Sequence, residues 1–88
     1  MDLTKTAADM IADLTQQAAL PQGGLRIAQS DDRPGLTMAV APEPAAEDEV
    51  LHQHHVTVFL DPIAAGRLAH ETLDARHGEA GAAFFLEP

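Results

Sequence analysis

The 88 residues contain no cysteine, no tryptophan and no tyrosine, and basic side chains are scarce. Lack of cysteine excludes disulfides, thiolate nucleophiles and every cysteine-ligated metal or iron–sulfur centre. Any inorganic site must then use imidazole and carboxylate. Three phenylalanines are the only aromatic anchors, and alanine supplies much of the 45% apolar content. A chain of this length buries only about 60–65% of its unfolded surface, so the core is small. Either its apolar faces suffice or a partner subunit completes them, which makes self-association as a homodimer an expectation.

Charge of one sign is also short. Lys5, Arg26, Arg33, Arg67 and Arg76 stand scattered against 14 acidic residues, for a formal charge of −9. That balance repels phosphate backbones and anionic bilayers, which argues against nucleic acid and membrane as partners. No apolar run approaches the ~20 residues of a membrane helix. The N-terminus lacks the basic-then-apolar pattern of a secretory signal. The expectation is one acidic cytoplasmic domain spanning residues 1–88.

Lys5–Leu20 holds no glycine or proline, and Thr4 is placed to cap it, which predicts a helix. Ala7, Ile11, Leu14 and Ala18 form its inward stripe, flanked by Ala8, Met10 and Thr15, with Asp9, Asp13, Gln16 and Gln17 on the other side. Pro21-Gln22-Gly23-Gly24 reads as the stop, with the glycines permitting positive φ. The period then falls from 3.6 to 2. Leu25–Gln29 and Leu36–Val40 alternate around the turn cluster Ser30–Gly35, predicting an antiparallel hairpin. Pro42–Glu49 reads as an exposed acidic link.

A further strand starts at Val50-Leu51, and Val56–Leu60 carries the strongest strand signal. Asp61 caps a second helix with Pro62 in its first turn; Ile63, Arg67 and His70 share one side, Ala64 and Leu68 another. Leu73–Ala75 reads as a short strand or bridging segment, and His77–Gly81 as a turn. Ala82–Leu86 is the last strand, with Phe84 and Phe85 on opposite faces. The fold class is α+β, mainly β, without βαβ regularity.

The sharpest positive feature is His52-Gln53-His54-His55. On a strand, His52 and His54 would share a face, and with Glu49 they would suit zinc, nickel or ferrous iron as a divalent-metal site. The competing reading makes them solvent-facing residues at a strand edge or turn. Asp31-Asp32 and Glu47-Asp48-Glu49 lack the ligand spacing of a calcium loop and read as solvated acids. Arg26 is either a contact for an anion or partner, or the mate of an acidic neighbour. No nucleophile motif, P-loop or dinucleotide fingerprint is present, and Gly23-Gly24 opens a strand rather than a helix. An enzyme would need a pocket gathering separated groups such as Arg26, Asp61 and His70; the residues point to a non-enzymatic protein.

Several segments, in order, resemble the HesB-like family of A-type iron–sulfur cluster carriers. They are the helix "LTKTAADMIADL", the strand entry "GGLRI", the link "PAAEDEV", the block "VTVFLDPIAAGRLAHETLDA" and the closing "FFL", which together span most of residues 3 to 87. The resemblance implies a partly open β-sandwich with the N-terminal helix and a short second helix packed against it. It also implies three cysteine ligands, one in the loop between the first two strands and two in a C-terminal Cys-Gly-Cys. The loop position corresponds to Asp32-Arg33-Pro34-Gly35, most nearly Arg33, and the residues end at Pro88, ahead of the Cys-Gly-Cys position. No family ligand carries over. The expected function is therefore a cysteine-less HesB-like accessory or protein-binding module without an iron–sulfur cofactor, with a protein partner or a second copy as its contact.

Overall fold

Thr4 starts the first helix as its sequence position requires: its Oγ1 accepts from Ala7 N at 3.1 Å and donates to Asp74 Oδ1 at 2.6 Å. A computed structural model of the chain describes residues 1–32, 34–79 and 81–88. Its order is β1 Asp2–Leu3, α1 Lys5–Gln17, β2 Gly24–Gln29, β3 Leu36–Ala41, β4 Glu49–Gln53, β5 Val56–Leu60, α2 Pro62–Arg67, β6 Thr72–Gly78 and β7 Gly81–Glu87. The described residues form a four-stranded sheet, β3-β2-β5-β4, and a three-stranded sheet, β1-β6-β7.

Helix α1 ends three residues before the expected Leu20. A proline disfavours helical geometry at the residue before it, so Pro21 forces the helix to close by Leu20. Ala18 caps it, Ala19 turns left-handed at φ 58°, and Ala19 N and Leu20 N donate to Gln16 O (3.0 Å) and Thr15 O (2.8 Å). This is a Schellman closure with alanine where glycine is favoured. As a consequence Ala18 is exposed and Leu14 half-buried, while Ala7, Ala8, Met10, Ile11 and Thr15 form the buried face. Ala19→Gly relieves the left-handed strain and is expected to raise stability by about 0.5–1 kcal/mol, read as a higher urea midpoint.

The glycine pair serves close contact instead of positive φ. Left-handed glycines among the described residues are Gly35 and Gly81. A Cβ on Gly24 would collide with the Thr57 carbonyl of β5, and one on Gly23 with the Ala41 carbonyl of β3.

In the four-stranded sheet, β2 pairs antiparallel with β3 as expected, but it also pairs parallel with β5. Leu25, Ile27, Val58 and Leu60 alternate onto one face and meet Ala7, Met10 and Ile11 of α1, Ala64 of α2 with its cap Leu68, and Leu73 and Ala75 of β6. Strand β6 runs to Gly78, well beyond the expected Leu73–Ala75, because its seven residues pair in register with β7. The expected turn His77–Gly81 shrinks accordingly; its Ala80 lies outside the described residues. Phe84 packs against the core and Phe85 faces away, under the Arg76 guanidinium at 4.8 Å.

The two sheets are tied by one amide. Gln53 Oε1 accepts from Leu3 N at 2.9 Å, and its Nε2 reaches Met1 O at 3.5 Å, so β4 holds β1 across the gap between sheets.

Candidate functional site

Arg26, Ala28 and Phe59 lie on the sheet face opposite the main core, and Ala28 and Phe59 are nonetheless buried. Arg26 closes a two-pronged pair with Asp48: Nε to Oδ2 at 2.7 Å and Nη2 to Oδ1 at 2.9 Å. The Asp48 side chain is 1% exposed and also accepts from Ala45 N at 2.9 Å. The Pro42–Glu49 link is thus pinned at one buried carboxylate, where the sequence reading makes the whole link exposed. The Arg26 hydrogen bond holds the Asp48 carboxyl below its ordinary range, against the opposing effect of burial. The same pair raises the guanidinium.

A polar depression of about 520 Å³ opens beside Arg26, between the β2–β3 loop and the start of α2. Ser30, Asp31 and Asp32 supply its loop side, Thr37 its β3 side and Asp61 its helix side. Asp61 is the expected cap: Oδ1 accepts from Ala64 N at 2.7 Å and Oδ2 from Gln29 N at 2.9 Å. Arg26 and Asp61 therefore do come together, but the hydrogen bonds each makes are structural, and His70 does not line the depression. What remains toward solvent is a pair of exposed carboxylates, Asp31 and Asp32, the latter accepting from Ser30 Oγ at 3.0 Å. Arg33 lies outside the described residues.

The histidines occupy a turn. His54 and His55, at φ 51° and 67°, are the two residues joining β4 to β5, with Gln53 and Val56 paired on either side. Both central positions being left-handed is the geometry of a type I′ hairpin, where histidine is among the more tolerant non-glycine residues. His52 pairs with Thr57, and its Nδ1 lies 3.0 Å from Thr57 Oγ1. His52 and His54 do not share a strand face, and Glu49, three residues before His52 on β4, alternates to the opposite side. Among the described residues no group of three or more His, Cys, Asp or Glu side chains is placed to hold a metal ion. His55 instead borders a second cleft, about 300 Å³, with Thr15 and Gln16 of α1 and the Pro21–Gly23 segment.

Asp48 is the functional-looking residue that local spacing misses. Its partner is 22 positions away, so the only sequence signal is a lone outward arginine amid surplus acid. Asp74 is a smaller case: the Thr4 hydroxyl, then Ala75 N–H, hold its carboxyl below the ordinary range.

No family model matches the sequence, and no curated protein is similar to it. Solved structures are. SufA of Escherichia coli, involved in the biosynthesis of iron–sulfur clusters, matches at TM-score 0.80 and 21% identity, over 98% of this chain and 82% of that one. IscA with a [2Fe–2S] cluster matches at TM-score 0.70 and 22% identity, over 98% and 79%. A protein from Aquifex aeolicus solved by NMR matches at TM-score 0.80 and 20% identity, over 100% and 90%. The chain has the HesB/IscA-like fold, as the sequence resemblance implies. The described residues of the β2–β3 loop offer hydroxyl and carboxylate oxygens, and the 88 residues contain no thiol, the usual ligand of an iron–sulfur cluster. No helix among the described residues is long and apolar enough to cross a membrane.

Proposed function

We propose that this chain is a non-enzymatic accessory module, a protein-binding domain on a HesB-like scaffold that does not carry a thiolate-held cluster. One joint observation carries the reading. The fold is shared with SufA and IscA, yet cysteine is absent from the entire sequence. Binding and releasing an iron–sulfur cluster draws on thiolate ligation, which this chain does not supply. The depression at the β2–β3 loop further supports the reading, because Arg26 and Asp61 act there as structural braces rather than as an acid/base pair. What the scaffold retains is surface, and its contact is a cytoplasmic protein or a second copy.

Anaerobic reconstitution with ferrous iron and sulfide, followed by desalting, tests this. The expected result is substoichiometric iron and no visible cluster absorbance. A stable chromophore with stoichiometric iron and sulfide overturns it.

A further inference from the structure

Strand β3 ends the four-stranded sheet, and no strand among the described residues pairs with its outer side. Such an edge presents alternate N–H and C=O groups ready for another strand. Proteins usually guard it with charge, proline or a bulge, and β3 has none of these. Leu36–Ala41 carries no charged residue and no proline, and its six residues pair with β2 without a bulge. Its core-side residues are also under-covered: Met38 is 37% exposed, and Leu36 and Val40 are only half-buried. The edge is thus both unguarded and apolar on one face.

The charge lies at its two ends. Asp31 and Asp32 precede β3, while Glu43 and Glu47 follow it, all exposed. From residue 31 to 49 the sequence sets Asp31, Asp32, Glu43, Glu47, Asp48 and Glu49 against Arg33 alone, and Asp48 is already matched by Arg26. This arrangement distinguishes between occupants. A second copy docking β3 antiparallel to β3 would set Asp31-Asp32 of each chain beside Glu43 and Glu47 of the other, which like-charge repulsion opposes. A basic segment meets opposite charge at both ends. The edges β4 and β7 each carry a charged residue, Glu49 and Glu87, and Arg76 lies over the outer face of Phe85 on β7, so neither suits such a segment as well.

We infer that the β3 edge takes an extended peptide with apolar residues at alternate positions and Lys or Arg at both flanks, added as a fifth strand beside Leu36–Ala41. Backbone pairing supplies affinity, Leu36, Met38 and Val40 receive the alternating apolar side chains, and the acidic ends select the flanks. This rests on the reading of the chain as a protein-binding module. The two are tested by different observables, iron content for that reading and peptide binding for this one.

The experiment titrates isotope-labelled full-length protein with an acetylated, amidated peptide, Lys-Lys-Val-Thr-Val-Thr-Val-Lys-Lys, and with its twin carrying Glu in place of Lys. Amide shifts are expected to cluster on residues 36–41. The Lys peptide should bind at least about tenfold more tightly than the Glu twin, with the difference shrinking at high salt. The exposed-site variant D31K/D32K/E43K should reverse the preference while keeping the dispersion of the core amides. Equal affinity for both peptides, shifts centred on β7, or an unreversed preference in a folded variant overturns the inference. So does protection of the β3 amides that rises with protein concentration alone, which would make a second copy the occupant.

Discussion

Gly24→Ala is expected to destabilise the fold by about 3 kcal/mol, at the upper end of what overpacking costs. The added methyl has nowhere to go. Its position collides with the carbonyl oxygen of Thr57, and the nearby Thr57 carbonyl carbon and Cβ crowd it further. Those are largely backbone atoms of β5, which is held on one side by β2 and on the other by β4, so no rotamer change clears the space. Relief requires β2 and β5 to move apart where they pair in parallel, at Leu25↔Val58. Leu25 and Val58 are among the most buried side chains, so the separation would open the centre of the core. For a domain of this size a loss of 3 kcal/mol corresponds to a fall in Tm of about 12–24 °C. Gly66→Ala, where nothing lies within 4 Å of the new Cβ, is the control and should leave Tm unchanged or slightly raised. Equal melting of Gly24→Ala and the parent would show that β2 and β5 do not approach as closely as described.

The same position shows what was legible in the sequence. Gly23-Gly24 stands out, and the strand after it is plain, but the reason for the glycines is contact with distant backbone, Ala41 for Gly23 and Thr57 for Gly24. Local pattern favours the dihedral explanation because turns are local; close approach between strands is not. Elements defined by alternation or capping were readable: Thr4 and α1, the β2–β3 hairpin, and Asp61-Pro62 opening α2. Elements defined by a distant neighbour were not. Strand β1 is two residues long and exists because β6 pairs with it, and β6 itself extends through Arg76, His77 and Gly78 because β7 lies alongside. The histidine cluster differs from its strand reading in another way, since His54 and His55 form the β4–β5 turn. Its alternation on a strand was sound geometry, but two residues between two apolar runs are also the length of a tight hairpin loop, and that length decided the matter. At the candidate site Asp61 was legible as a cap, whereas Asp48 was hidden inside a run of acids that all look alike in sequence.

Arg26→Ala should cost about 2 kcal/mol at neutral pH, because it leaves a nearly inaccessible carboxylate without its charged partner. The figure sits below that of a fully buried pair, since the Arg26 side chain is 32% exposed and water can partly replace it. The pH dependence identifies the cause. With Arg26 present, hydrogen bonding holds the Asp48 carboxyl below its unfolded value. The stabilisation is therefore fully present above about pH 4, the ordinary carboxylate value, and is lost as pH falls through the lower folded value. Removing Arg26 removes the largest effect that depresses the group and leaves burial, which raises it, opposed only by the Ala45 N–H bond. The variant should then begin to lose stability to acid at a higher pH than the parent, and the gap between them should narrow once Asp48 is protonated in both. Urea midpoints of the parent, Arg26→Ala, Asp48→Asn and the double variant, measured from pH 7 down to pH 3, separate these effects. The double variant should be less destabilised than the sum of the singles, because it contains no stranded carboxylate. If the single losses add, or if the Arg26→Ala gap stays constant with pH, the pair does not secure the acidic link and Arg26 acts only through the packing of its stem beside Phe59.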